Sequence, residues 1–313
     1  MSTNYASHEA NREYRRARGR AVLRRIMAAF FGRTNDLMIY DDVRHKVRAG
    51  MPSHRGMQAV PLNQIVGSVD RWRDFDRAFL PTQTHTASRW RRIGEAYIDD
   101  VYLPPVTLYK VGEVYFVMDG NHRVSVARQL GREFIDAEVM ESQVRVPITP
   151  DMNPDDIDVV GEHAECLEIT GLDETRPHVP IELTIPGGYH RLLEHIAVHK
   201  YLQSQEWERE FSEREAAAQW LDQVYLPVVE VIRESRVLDD FPGRTEADLY
   251  LWVSEHRYYL SEHLGGGVST QDAARNFARH FTERPFRRFW HYLRDHLIRG
   301  EHHDVPSDPP AGT

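Results

Sequence analysis

Apolar residues recur with a helical period over residues 8–32, where Val22, Leu23, Ile26, Met27, Phe30 and Phe31 fall together and arginines fill the remaining positions. This pattern predicts one helix, packed on the body through the large apolar residues, with a solvated basic face. The following "NDLMIYDDVRHKVRAG" reads as a connector with a short helix, and "AVPLNQIV" as a short strand and turn. "SRWRRIGEAYIDD" has a helical period, with Trp90, Ile93 and Tyr97 on one side. In "LPPVTLYKVGEVYFVMDG" the period changes to two: Val106 and Leu108, then Val114 and Phe116, alternate with more polar positions. This is a hairpin turning at Val111-Gly112-Glu113. "NHRVSVARQLG" returns to a helix, stopped by Gly131, and "EFIDAEVME" to a strand. The order over roughly residues 50–148 is therefore strand, helix, hairpin, helix, strand.

Pro147, Pro150 and Pro154 mark a boundary, beyond which helical periods dominate. They run through "HRLLEHIAVHKYLQSQEWEREF", "SEREAAAQWLDQVYLPVVEVIRES", "EADLYLWVSEHRYYLSEHLG" and "TQDAARNFARHF". Ser212-x-x-Glu215 and Thr245-x-x-Asp248 are capping-box starts. Trp207, Trp220, Trp252 and Trp290 lie in these patterns as expected core residues. The expected organisation is a basic helical arm (1–48), an α/β domain (49–148), a mainly α-helical C-terminal domain (149–300) and a disordered polar tail (301–313).

Charge changes the picture locally. The 313-residue chain carries 39 Lys and Arg against 48 Asp and Glu, a net charge of -9 that argues against coating nucleic acid by bulk electrostatics. Residues 12–33 nevertheless hold Arg12, Arg15, Arg16, Arg18, Arg20, Arg24, Arg25 and Arg33 against Glu13. Such an arm suits the phosphates of DNA or an acidic partner. No apolar run approaches the ~20 residues of a membrane span, and the start of the chain lacks a signal-peptide pattern. The single cysteine, Cys166, has no internal disulfide partner. Together these features predict a cytoplasmic protein without a membrane partner, and a homodimer is compatible with them.

The chemistry concentrates where the hairpin meets the next helix, at Asp119-Gly120-Asn121-His122-Arg123. Unpaired N–H groups and the positive end of the helix dipole make such a corner a natural anion site. Gly120 admits close approach, Arg123 offers a planar cationic fork, and Asn121 and His122 are donors. Asp119 ends the strand and is placed to hold Arg123 or His122, or to help bind a nucleotide's metal. Upstream, "GSVDRWRDFDRAF" supplies Arg71 and Arg73 as candidate phosphate contacts, Ser68 as a phosphate contact or helix cap, and Asp70, Asp74 and Asp76 as candidate bases or metal ligands. His122 joins them as a candidate acid or base. The bland alternative for that segment is a charged amphipathic helix with Trp72, Phe75 and Phe79 inward.

The run from "AVPLNQI" through "LPPVTLYKVGEVYFVMDGNHRVSVARQLGREFIDAEVMES" resembles the ParB/sulfiredoxin-like superfamily over about a third of the chain. Members share a proline-led strand, a hairpin, a phosphate corner on a helix and a closing strand. The corner binds CTP in ParB partition proteins and ATP in sulfiredoxins, and reads Asp-Gly-His-His-Arg in ADP-dependent free serine kinases. The fuller layout, with "IVGSVDRWRDFDRAFLP" and "FPGRTEADLYLWV", resembles a bacterial ParB-like family of unknown activity. The resemblance implies a nucleoside di- or triphosphate, with Mg, at residues 119–123. It implies a nucleotide switch that reorders the helical domain, a small-molecule kinase with a base from 70–76, or a DNA-associated regulator with nucleotide as effector. Asn121 stands where a sulfiredoxin needs its thiolate, and Cys166 lies in another segment, which argues against sulfinic acid reduction. A partition-type helix-turn-helix is not read in 151–200, and "STQDAARNFARHFTERPFRRFWHYLRDH" reads better as two packed helices.

Other constellations are weaker. His195 and His199 have zinc-ligand spacing, with His190, Glu246, Asp248 and His256 as possible completions, but with 17 histidines chance pairs are expected and no metal site is assigned. "TIPGGYH" is a second glycine-led helix start, read as a simple loop into a helix. Cys166 is read as structural.

Overall fold

The computed structural model describes residues 2–30 and 35–264. The chain divides into two compact units, Met1–Gly171 and Leu172–Thr313. The architecture is mixed α/β, with an N-terminal helix and a largely helical C-terminal region. No helix among the described residues is long and apolar enough to cross a membrane.

The first unit opens with helix α1 (Ser2–Phe30), strand β1 (Met38–Ile39) and helix α2 (Tyr40–Lys46). Strand β2 (Ser53–Pro61) leads through a tight turn into β3 (Ile65–Ser68), and helix α3 spans Ala87–Ile98. The hairpin β4 (Val106–Val111) and β5 (Val114–Asp119), helix α4 (Asn121–Gln129), strand β6 (Phe134–Ser142) and helix α5 (Asp156–Thr170) complete it. The six strands form one sheet in the order β1-β3-β5-β4-β6-β2. β1, β3 and β5 run parallel, so their carboxyl ends share one edge. β4 runs antiparallel to β5, and β6 lies parallel to β4, so the start of β6 meets the same edge.

Alternation along the strands covers both faces of the sheet. On one face Ala17, Ile65, Phe79, Trp90, Val106, Leu108, Val117 and Val124 pack α1, α3 and α4. On the other, Met38, Tyr40, Val43, Phe116, Ile157 and Val160 pack α2 and α5. Trp90 anchors the first face: it is fully buried, and its indole N–H donates to Ser125 Oγ at 2.8 Å.

Four features depart from the sequence expectation. α1 packs through Ala6, Ala10, Ala17 and Ala21, whereas Val22, Leu23, Ile26 and Met27 are exposed. Residues 67–79 form no amphipathic helix; the chain leaves β3 through turns bridged by Asp36 to Asp76 and Phe75 to Pro81. The short parallel strand β1 has too few residues to show a period. Finally, α5 buries Ile157 and Val160 in the α/β core, so the first unit continues past the proline cluster to Gly171.

The second unit contains helices α6 (Leu172–Thr175), α7 (Gly188–Glu206), α8 (Glu213–Trp220), α9 (Leu226–Ser235) and α10 (Glu246–Leu264). A π-helical stretch, Leu221–Tyr225, joins α8 to α9. Both capping boxes form: Ser212 with Glu215, and Thr245 with Asp248 through reciprocal 3.1 Å bonds. Trp220 and Trp252 are core residues, but Trp207 is exposed. Arg33, Trp290, the stretch 269–296 and the tail 301–313 lie outside the described residues.

Candidate functional site

The carboxyl ends of β3 and β5 deliver two segments to one corner, the loop after Ser68 and the first turn of α4. Gly120 joins β5 to α4 with φ of 109°. A side chain there would collide twice over: a Cβ would lie 2.5 Å from Val106 Cγ1 and 3.2 Å from Arg123 Cζ. Glycine is thus required by both backbone and packing. No side chain caps the α4 start, so its first N–H groups have no partner within the helix.

Asn121 and His122 are both buried, 6% and 5% exposed, yet Asn121 Oδ1 and His122 Nδ1 have no hydrogen-bond partner. Buried polar atoms rarely go unpaired, because each costs roughly 1–3 kcal/mol. Two such atoms sit side by side at this helix start. His122 packs edge-on against Phe75, ring centres 5.2 Å apart. Burial, helped by the charges of Arg89 and Arg71 and opposed by that of Asp74, lowers its pKa to about 4. At neutral pH His122 is therefore an uncharged imidazole, one nitrogen a donor and the other an acceptor.

The surrounding shell comes from the loop and from α3. Ser68 is fully buried; its hydroxyl donates to Val117 O at 3.2 Å and accepts from Arg71 N at 3.3 Å, folding the loop over the end of β3. Asp74 pairs with Arg71 at 3.0 Å and His85 Nε2 at 3.4 Å. Arg89, in the first turn of α3, is exposed. The structure thus brings together Ser68, Arg71, Asp74, Asn121 and His122 from the sequence expectation and adds His85 and Arg89. Neither carried a sequence signal: Arg89 lies in α3, which reads as an ordinary amphipathic helix, and His85 in the loop before it.

Three expected site residues take other parts. Asp76 is 3% exposed and accepts from Ala78 N and Leu80 N at 2.9 Å and from Asn35 Nδ2 at 3.3 Å, with Arg24 at 3.7 Å. Burial raises its pKa against those bonds. It clamps the loop. Arg123 turns its guanidinium to the carbonyls of Pro104 and Pro105 and to Asp119 Oδ2 at 2.5 Å. It ties the strand end to the loop before β4, so it and Asp119 act as a brace. Asp70 is exposed at the start of the loop. On the Arg123 side lies a cleft of about 250 Å³, lined by Tyr97, Asp100, Pro105, Arg132 and Asp136.

Elsewhere the candidates resolve into structure. In α1, Arg12 pairs with Glu9, Arg16 with Glu13, and Arg18 bonds Thr82 O, which removes part of the expected free basic face. His195 Nδ1 lies 3.1 Å from the Tyr250 hydroxyl, and Asp248 accepts from Thr184 N and Oγ1 at 2.9 and 2.6 Å. No group of three or more potential ligands is placed to hold a metal among the described residues; the His256 side chain lies outside them. Cys166 is buried, which pushes its thiol up to about 12, so it is inert as a nucleophile.

Residues 187–282, in the helical unit, match the family model described as a domain of unknown function, DUF4032. No curated protein matches the chain.

Proposed function

We propose that the first unit is a ParB/sulfiredoxin-like domain whose α4 corner binds a phosphate-bearing ligand, a nucleoside di- or triphosphate carried with its magnesium. The observation that carries this reading is the glycine-led, uncapped start of α4 with the charges of Arg89 and Arg71 acting on His122 beside it. Arg89 and Arg71 stand close enough for their charge to depress His122. Phosphate oxygens would accept from the α4 N–H groups and from these two arginines. Metal ligands of the chain's own are not needed, since the ion would arrive on the phosphates. The order proline-led strand, hairpin, Asp-Gly-Asn-His-Arg and closing strand supports the fold assignment.

Asp74 favours a second reading, transfer of the phosphoryl group to a small hydroxyl compound. Its carboxylate, held by Arg71 and His85, is the one of the three expected bases whose charge acts on His122. A switch would hydrolyse nucleotide unaided, whereas a kinase would consume it only with its acceptor.

Calorimetric titration with ATP, ADP, CTP and GTP in Mg²⁺ tests the proposal. One nucleotide should bind, and Arg89→Ala should weaken it about tenfold or more, the worth of a charge-assisted hydrogen bond. Because Arg89 is exposed, that variant leaves the fold intact. Folded protein that binds none of the four would overturn the reading.

A further inference from the structure

Arg123 lies in the first turn of α4 and also lines the cleft of about 250 Å³ between the end of α3 and the start of β6. That is less than the ~300–1,000 Å³ that encloses a whole drug-sized ligand. The cleft therefore suits one ring system of a larger molecule, and the proposed phosphate site begins at the same turn of α4. Tyr97, Pro105 and Phe134 give it flat apolar walls, Phe134 being 56% exposed. Groups of this kind stack on the face of a base.

The polar lining is the second observation. Arg132, just before β6, and Asp136, within it, are opposite charges that line one small cleft without pairing with each other. Neither side chain has a hydrogen bond or ion pair with any other group among the described residues. Burial raises the Tyr97 hydroxyl above its ordinary pKa; the charges of Arg123 and Arg132 oppose this and that of Asp136 adds to it, so all three stand around it.

A carboxylate only accepts and a guanidinium only donates. A ligand that satisfies both while they are held apart must offer donors on one edge and acceptors on another. Guanine does so: N1–H and the N2 amino group face a carboxylate as a pair, and O6 and N7 face a guanidinium as a pair. Adenine and cytosine have one amino group beside ring nitrogens whose lone pairs repel the second carboxylate oxygen. Uracil and thymine have a single ring N–H between two carbonyls. We propose that this cleft selects guanine, with Asp136 accepting from N1–H and the N2 amino group and Arg132 donating to O6 and N7. The assignment rests on the phosphate reading of the α4 corner and adds the base of the nucleotide to it.

Calorimetric titration of the full chain with GTP, ATP, CTP and xanthosine triphosphate in Mg²⁺ tests this. GTP should bind about tenfold or more tighter than ATP or CTP, the worth of a hydrogen bond to a charged group. Xanthine carries an oxygen where guanine carries its N2 amino group, so a carboxylate repels it and an amide accepts it. Asp136→Asn should therefore weaken GTP about tenfold or more and raise xanthosine triphosphate above it. Asp136 is exposed, and a residue that merely held the fold could not produce that exchange. Arg132→Gln, also at an exposed position, should narrow the gap between GTP and ATP. Arg89→Ala, acting on phosphate, should weaken all the nucleotides alike. Equal binding of GTP and ATP by the wild type overturns the base assignment and leaves the phosphate corner standing. So does a GTP preference that survives Asp136→Asn, or a loss of GTP without the gain of xanthosine triphosphate. Folded protein that binds no nucleotide removes the corner and the base together.

Discussion

Two helices in this chain begin in the same way and are surrounded differently. α4 follows Gly120 with φ of 109°, and α7 follows Gly187 with φ of 75°; neither start has a side-chain cap. By glycine and dipole alone both qualify as anion corners. At α7 the preceding loop is folded against the helix start by the chain's own groups. The Tyr189 hydroxyl donates to Ile181 O and accepts from Leu183 N, each at 3.1 Å, and Gly188 lies against Leu183. At α4 the next two residues bury polar atoms without partners, and Arg71 and Arg89 stand near. A glycine-led helix start is common; what distinguishes a binding corner is the polar capacity the fold leaves unmet and the charge it gathers around it.

The largest effect that sharpens this contrast is steric. Gly120→Ala forces an L-residue into the left-handed region and drives its Cβ to 2.5 Å from Val106. Strain of ~1–2 kcal/mol plus overpacking of similar size predicts a loss of about 3 kcal/mol. Gly187→Ala, whose Cβ meets nothing within 4 Å, should cost only the backbone strain, about 1 kcal/mol. Denaturant unfolding of the two variants measures both, and equal losses would erase the distinction.

Next in size is the titration of His122. Its folded pKa of about 4 lies below the unfolded value of about 6.5. The group's contribution to stability is complete above pH 6.5 and is lost as pH falls toward 4, by up to about 3 kcal/mol. His122→Gln should flatten that part of the pH dependence. Burial also lowers His195 and His199 in the helical unit; their slope has the same sign and persists in the variant. Unfolding free energies of both proteins at pH 7 and 4.5 settle the matter, and parallel losses would mean that water reaches the His122 ring.

How far the sequence reveals this corner follows from what each residue depends on. Strand period, the hairpin turn at Gly112 and the helix from Asn121 are local, and the chain shows them plainly. So are the Ser212 and Thr245 capping boxes, which rest on contacts three residues apart. The face of α1 misleads because the residues it buries are alanines, which packing against α3 selects; Ala10 would lie 3.3 Å from a Cβ on Gly94. Asp74 and Asp76 are indistinguishable in sequence. Their separate fates are set by Asn35, Arg24 and His85, which only the tertiary fold brings in. Arg123 reads as the better phosphate ligand until the carbonyls of Pro104 and Pro105 claim it.

The smallest effect tests the contrast most directly. Inorganic phosphate or sulfate, with no base or sugar, should find the α4 start and ignore the α7 start. An ion that binds only the folded chain stabilises it by about 1.4 kcal/mol at ten times its Kd. The slowing should appear where the N–H groups are engaged. Hydrogen exchange across residues 117–126 should slow as phosphate rises, while residues 185–194 exchange unchanged. Arg89→Ala should reduce the first response without touching the second. Equal slowing at both starts would show that any helix dipole suffices, and the polar atoms of Asn121 and His122 would lose their special standing. No slowing at either would remove phosphate as the group this corner recognises, because the N–H groups of α4 are where an anion must first be held.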